Sequence, residues 1–161
     1  MKRSSTKERP EPTFFTDRDL GPVVAEQLLA GGMLVEPHHK HFPDNPGAED
    51  SEWLQLVGDR GWVALTHNTR IRYERDQLDD LMNYGATTFF IIGKGPQNER
   101  FAPAILAAMN KMKALVWRRR ETFIAKVFVD RPDVELWLTH SQWKSGRELH
   151  QPRPRGSSNA T

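Results

Sequence analysis

Short apolar runs that alternate with amphipathic segments constrain the fold of this 161-residue chain more than any other feature. Four of these runs are rich in β-branched and aromatic residues and are too short for helices, so they predict strands. Strands that alternate with helices favour a mainly parallel sheet covered by helices on both faces. The predicted strands are residues 13–17, 33–37, 62–66 and 87–92.

The segments between the strands carry helical patterns. The first has Asp19 as its predicted N-cap and a Gly-Gly pair at its end. Two later runs are joined at "DRPD" and predict a C-terminal β-hairpin of residues 122–129 and 134–138. The predicted helices are residues 20–31, 49–58, 74–84 and 100–119.

Composition separates the two ends of the chain from its middle. Apolar residues make up only 37% of the sequence, and the shortfall lies in ends rich in Lys, Arg, Pro and Ser. We therefore predict a folded domain over 13–139, with residues 1–12 and 140–161 disordered. The net charge is +2 and the pI about 9.0, so the tails could hold nucleic acid through phosphates or serve only solubility.

Several function classes are excluded by residue content. The chain has no cysteine, which excludes disulfides, thiolate metal sites and a cysteine nucleophile. No apolar run approaches the ~20 residues of a membrane span. The N-terminus lacks an apolar signal segment. We therefore expect a soluble cytoplasmic protein without a membrane partner.

Polar side chains follow each of the four predicted strands. In parallel α/β sheets the ligand crevice lies outside the carboxyl ends of the strands, so these side chains should share one rim. The N-terminus of the second predicted helix points to the same rim. The residues concerned are Asp17, Asp19, His38, His39, His41, Thr66, His67, Asn68 and Lys94, with Asp50 at the start of that helix.

Carboxylates on one rim repel each other, so a counter-charge is expected. Mg²⁺ or Mn²⁺ prefers oxygen ligands and meets substrate phosphates. Asp17 and Asp50 are the best-placed ligands, Asp19 is another, and Asn68 offers an amide oxygen. Such a site could activate water for attack on a phosphodiester. The predicted phosphate-binding or RNA-binding residues are His67, Arg70, Arg72 and Lys94.

Other interpretations of the same residues stay open. Asp17 and Asp19 could simply cap a helix, and Asp50 could complement a helix dipole. The histidines of "HHKH" suit zinc, but no fourth ligand is evident. A phosphoacceptor receiver domain would need an aspartate at the third strand tip, where "LTHN" has none.

The motifs "FFTDRDLG", "HHKHFP" and "EDSEWLQLVGDRGWVALTHNTRIR", in this order and spacing, resemble the PIN-like domains of VapC-type toxins. The later "TTFFIIG" and "TFIAKVF" are similar to the final strands of that family, so the resemblance covers about residues 13–129. It implies a three-layer α/β/α fold and a ribonuclease dependent on Mg²⁺ or Mn²⁺. It also implies an antitoxin partner, and assembly as a homodimer stays open.

The resemblance assigns the family's acids to positions in this chain. The first is Asp17, and the second is Asp50, three residues before a tryptophan. The third family acid ends a "T-x-D" pattern, which here is "T-H-N", so Asn68 stands in its place. This loss of charge implies weaker metal binding, with compensation by Asp19, or a non-catalytic module that binds RNA or protein. Glu74 and Asp76, near the next helix, are candidates for further acids.

Overall fold

A computed structural model describes residues 10–45, 49–93 and 98–149. Six strands in these residues form one sheet in the order β2-β1-β3-β4-β5-β6. All neighbouring pairs are parallel except the antiparallel pair β5–β6. The parallel sheet and the C-terminal hairpin are therefore confirmed. The strands are β1 Thr13–Thr16, β2 Leu34–Pro37, β3 Val63–Thr66, β4 Thr88–Ile92, β5 Phe123–Phe128 and β6 Val134–Thr139.

Helices cover both faces of the sheet, which gives the predicted three layers. One apolar cluster joins the sheet to α1 and α6, and a second joins it to α3, α4 and α5. None of the helices in the described ranges is long and apolar enough to cross a membrane. The helices are α1 Gly21–Ala30, α2 His38–His41, α3 Asp50–Arg60, α4 Arg70–Tyr73, α5 Arg75–Tyr84, α6 Asn98–Arg118 and α7 His140–Leu149.

The central strands are buried on both faces, as parallel strands between helical layers must be. Successive side chains of a strand point to opposite faces, so neighbours enter different layers. Phe14 packs in the cluster of α1 and α6, while Phe15 packs in the cluster of α3. Neither ring has any solvent exposure. Phe15 stacks on Trp53 of α3 with ring centroids 5.5 Å apart.

Local sequence signals set the start and the packing of α3. Glu49 and Glu52 form a capping box at its N-terminus, which places Asp50 in the first turn. Gly58 lies against α5, where a Cβ would come within 2.0 Å of the carbonyl oxygen of Tyr84. The two helices therefore approach closely because this residue has no side chain.

Two short helices and one cap differ from the expectations. The "HHKH" segment is the helical turn α2 rather than a loop, and α4 is an additional turn between β3 and α5. Asp19 does not cap α1. Instead Asp17 caps a 3₁₀ turn, Arg18–Leu20, by accepting a hydrogen bond from the Arg18 backbone N–H. Single helical turns carry too few residues for a periodic apolar signal.

The expectation of a disordered tail over 140–161 is wrong for its first ten residues, which form α7. The Trp143 indole packs against the α3–α5 layer and donates from Nε1 to Asp79 Oδ1 at 3.0 Å. One anchoring aromatic side chain on a polar helix leaves little periodicity to detect. At the other end, Trp117 Nε1 donates to the Pro10 carbonyl at 2.9 Å. Residues 1–9 and 150–161 lie outside the described residues.

We expect Trp143→Ala to lower the free energy of unfolding by about 2 kcal/mol, because it removes apolar packing and a hydrogen bond. Trp143→Phe should cost about half as much, since the ring remains. Lys144→Ala, at the exposed neighbouring position, is the matched control and should be neutral. Urea unfolding of the three variants measures the effect. Equal stability of Trp143→Ala and the control would show that α7 does not support the core.

Candidate active site

A polar cleft of about 470 Å³ opens at the carboxyl ends of β1 and β3. Three acids, one amide and several basic side chains surround it. The rim predicted from strand order therefore exists as one concave surface. The lining residues are Asp17, Arg18, Asp19, His38, Asp50, His67, Asn68 and Arg70.

Two of the acids meet at the hydroxyl of Thr66. Thr66 Oγ1 donates to Asp17 Oδ2 at 2.8 Å and lies 3.3 Å from Asp19 Oδ2. A hydroxyl has one proton to donate, so it fully satisfies only one carboxylate. The backbone N–H of Arg18 donates to Asp17, and that of His67 donates to Asp19 at 3.1 Å. Backbone and side-chain donors thus hold both acids in place.

The pair carries more negative charge than its surroundings balance. Burial raises the pKa of Asp17, and hydrogen bonds from Thr66 and the Arg18 backbone oppose the rise. Although the Asp19 residue is exposed at the rim, desolvation of its carboxyl group and then the charge of Asp17 raise its pKa to about 7. A cation in the cleft would favour the ionised form of both groups.

Asp50 is held from the opposite side of the cleft by the core. Its Oδ1 accepts a hydrogen bond from Trp53 Nε1 at 2.9 Å, and its Oδ2 accepts one from Asn68 Nδ2 at 3.3 Å. The Trp53 side chain is fully buried. The indole therefore packs in the core and also orients the carboxylate of Asp50.

Asn68 connects the two halves of the acidic cluster. Its backbone N–H donates to Thr66 Oγ1 at 3.0 Å, and its side chain donates to Asp50. Its Oδ1 accepts from the Arg70 backbone N–H at 3.2 Å. An ionised carboxylate only accepts and a backbone N–H only donates, so the two partners define the orientation of the amide. An aspartate at this position would lose the bond to Asp50 and repel it.

His67 has a defined tautomer. Its Nδ1 lies 3.0 Å from the carbonyl oxygen of Ile91, which can only accept, so Nδ1 carries the proton. The imidazole packs on Phe101 of α6 at 4.9 Å between ring centroids. In its neutral form the remaining nitrogen is an acceptor. His67 can therefore donate to a phosphate only when it is protonated, whereas Arg70 is always charged.

The three histidines of α2 do not converge on one point. His38 is buried beside the cleft, and burial lowers its pKa. His39 is exposed, and His41 lies 2.7 Å from Glu36 Oε1. The helical turn directs the side chains apart, so the zinc alternative gains no support from this segment. His38 lines the cleft, at the rim where its position after the second strand had placed it, whereas sequence reasoning missed Arg18, which directly follows Asp17.

Other predicted site residues lie away from the cleft or beyond the described chain. Arg72 points to the rings of Tyr73 and Trp137, at 5.6 Å and 5.5 Å. Glu74 pairs with Arg70 at 3.7 Å, and Asp76 is exposed on α5. Lys94 lies outside the described residues, so its predicted role stays a prediction.

The donor types in the cleft fit a hard divalent cation, since carboxylate and amide oxygens dominate. In the described ranges, however, no three side chains among His, Cys, Asp and Glu are arranged to hold a metal ion. Mg²⁺ keeps several waters and needs few protein ligands. The cleft therefore suits a cation held by one or two carboxylates and water better than a complete protein cage.

Comparison with known proteins gives a consistent result. Residues 12–93, just over half of the chain, match the profile of the family described as PIN-like domain. A curated protein of Mycobacterium tuberculosis (strain ATCC 25618 / H37Rv), named "Putative ribonuclease VapC45", is 23% identical over 99 residues. That alignment covers 60% of this chain and 72% of the relative. No solved structure matches the chain significantly.

The raised pKa of Asp19 predicts a pH-dependent stability of the metal-free protein. With a pKa of about 7 in the fold and 3.8 as the ordinary value, the native state binds more protons between these limits. The free energy of unfolding should therefore fall as pH rises through this window.

Asp19→Asn should remove this contribution, so the variant should be more stable than the wild type at pH 8 and gain little at pH 4. Thermal unfolding at pH 4 and pH 8, in the presence of a chelator, measures the two stability differences. Asp59→Asn, on the exposed side of α3, is the control. A stability gain independent of pH would contradict the assignment.

Proposed function

The chain belongs to the PIN-like domain family, and on that basis we propose that it is an endoribonuclease dependent on Mg²⁺ or Mn²⁺. The observation that carries the proposal is the cleft in which Asp17, Asp19 and Asp50 converge with Asn68 and Arg70. The similarity to a relative named as a ribonuclease of the VapC type supports the same activity. An acidic, solvent-open cleft also suits a phosphodiester substrate that meets the protein through a cation.

Each side chain has a role that follows from its position. Asp17 and Asp50 would hold the cation together with water, and Asp19 and the Asn68 amide lie beside them in the cleft. The bound cation would supply Lewis acidity toward a phosphoryl oxygen and would acidify water. Thr66 keeps Asp17 aimed at the cleft by donating to one of its oxygens at 2.8 Å.

The basic side chains would position the substrate. Arg70 lies at the cleft edge, and its guanidinium can bind a phosphate through two parallel hydrogen bonds. Its exposed pairing with Glu74, at 3.7 Å, is weak enough to exchange for a phosphate. Arg18 also lines the cleft and moderates the charge of Asp17.

We also propose that the protein is the toxin of a toxin–antitoxin pair, neutralised by an antitoxin protein. The support is the name of the VapC-type relative. A small adjacent reading frame that encodes a DNA-binding protein would support this role, and its co-purification with the chain would test it. Sedimentation of the purified chain determines whether it assembles as a homodimer, which the resemblance leaves open.

The alternative is a non-catalytic module that binds RNA or protein. Asn68 stands where the family has an acid, and its Nδ2 donates to Asp50 Oδ2. This favours the alternative, because the cleft has one negative charge fewer with which to bind a cation. In that case the cleft would bind its cation weakly. The two proposals differ in one measurable property, metal-dependent cleavage of RNA by the pure protein.

We expect Asp17→Asn and Asp50→Asn to reduce Mn²⁺-dependent cleavage of single-stranded RNA by about a hundredfold or more. Both should also weaken Mn²⁺ binding in calorimetry while circular dichroism stays unchanged. Asp59→Asn removes an equivalent charge from an exposed position and should match the wild type. Retained metal affinity in both cleft variants would refute the proposed ligands. Absence of cleavage by the wild type would favour the binding module.

We expect Asn68→Asp to raise Mn²⁺ affinity about ten- to a hundredfold, because attraction to the cation outweighs repulsion from Asp50. Without metal the same variant should lose about 1–2 kcal/mol of stability, since it gives up a hydrogen bond and adds a like charge. Asn83→Asp, at an exposed position on α5, is the charge control. Unchanged metal binding and cleavage would show that residue 68 does not face the cation.

A further inference from the structure

A second functional surface lies beside the cleft on α4, β5 and β6. It consists of Arg72, Tyr73, Lys126 and Trp137, and we call it the α4 platform. Tyr73 is 72% exposed, more than any other large apolar side chain in the described residues. A single exposed ring is ordinary on a protein surface, so the neighbours of Tyr73 decide whether it belongs to a binding surface.

Contacts between rings and cations hold the side chains of the platform in place. The Tyr73 ring meets Trp137 edge-on, with centroids 5.9 Å apart, and Trp137 meets the buried Phe90 in the same way at 5.6 Å. Lys126 Nζ lies 4.6 Å from the Trp137 centroid, and Arg72 Cζ lies 5.5 Å from it. Arg72 Cζ also lies 5.6 Å from the Tyr73 centroid, so the exposed remainder of the Tyr73 ring is the part left for stacking.

Arg72 and Lys126 give the platform positive charge, and Glu135 stands opposite Lys126 across the β5–β6 pair. Arg72 Nε is buried and has no hydrogen-bond partner among the described residues. Glu74 pairs with Arg70, and Glu135 pairs with Arg131 at 3.5 Å. The Arg72 guanidinium is thus held against the rings of Tyr73 and Trp137, with its Nε turned away from solvent.

The platform continues directly from the cleft. Arg70 lines the cleft, and Tyr73 follows three positions later on α4, so their side chains are neighbours on one helix face. Across the sheet, Thr66 is aligned with Phe90, and Phe90 with Lys126. At ~4.8 Å per strand, Lys126 lies about 10 Å from the strand that ends at the acidic cluster. A strand of nucleic acid in the cleft could reach the platform without bending back.

Exposed aromatic rings beside cations are the chemistry that binds unpaired nucleic-acid bases. We propose that the α4 platform binds RNA that is single-stranded next to the scissile phosphate. Tyr73 stacks on an unpaired base, Trp137 orients Tyr73, and Arg72 contacts the adjoining phosphate. This rests on the proposed function for the identity of the strand, and it adds a binding surface of this chain that lies outside the cleft.

Binding of fluorescein-labelled single-stranded RNA in EDTA tests the platform without cleavage. Tyr73→Ala should weaken binding about tenfold, the effect of losing one base stack. Tyr73→Phe should bind like the wild type because the ring remains. Tyr84→Ala, the change at the other tyrosine of the chain, is the matched control. A blunt duplex of equal length should bind all four proteins equally, since its bases are not free to stack.

A direct readout accompanies the affinities. RNA that carries 5-iodouridine should crosslink to Tyr73 on irradiation, and mass spectrometry should locate the adduct on the peptide that contains it. A merely structural role of Tyr73 would give neither the crosslink nor a difference between single strand and duplex.

The outcomes separate this proposal from the proposed nuclease. If Tyr73→Ala weakens single-strand binding while the wild type does not cleave RNA with Mn²⁺, the platform stands and the nuclease fails. If the wild type cleaves but Tyr73→Ala binds single strands normally, the platform is wrong. Equal loss on duplex RNA, or no single-strand binding by the wild type, also overturns it. Loss of a co-purifying protein with unchanged RNA affinity would make this surface a protein interface instead.

Discussion

The parallel pairing of β1 with β3 is the constraint on which the cleft depends. Its last ladder contact, from Asp17 N–H to the Leu65 carbonyl at 3.0 Å, places Asp17 against Thr66, 49 positions later. A register slip of one residue would turn Thr66 to the other face of the sheet and bury apolar side chains on the wrong side. The packing of Phe14 and Phe15 into opposite layers opposes such a slip.

Core and cleft are joined through single side chains. Trp53 stacks on Phe15 with one part of its indole and holds Asp50 with its N–H group. Loss of packing at this indole would therefore loosen the acid before the sheet unfolds. On the other side, Asn68 donates one hydrogen bond to Asp50 and one to the Thr66 hydroxyl. An uncharged residue therefore holds the cluster together, as a bound cation would.

Hydrogen bonds therefore order the acidic cluster, although its carboxyl groups are close together and partly desolvated. Asp17 and Asp19 have raised pKa values because they are desolvated close to each other, and only one hydroxyl lies between them. Asp50, in the other half, accepts hydrogen bonds from two neutral donors, the Trp53 indole and the Asn68 amide. Under the proposed function, a cation would gain most beside Asp17 and Asp19, which would give Asp19 a larger role than the family pattern alone implies. The α4 platform adds positive charge and an exposed ring at the edge of the same cleft.

The sequence by itself determined the sheet, its parallel direction and the rim where Asp17, Asp50 and Asn68 meet. These depend on alternation of apolar runs and on the rule that carboxyl ends of parallel strands share an edge, and both are local patterns. Only the tertiary structure decided that α7 docks through Trp143, that His38 enters the cleft while His41 turns to Glu36, and that Arg72 leaves it for Trp137. Each of these outcomes joins residues of different elements or depends on the direction of a single helical turn. The pattern of residue types along the chain does not predict where these side chains point, because packing between distant segments sets their directions.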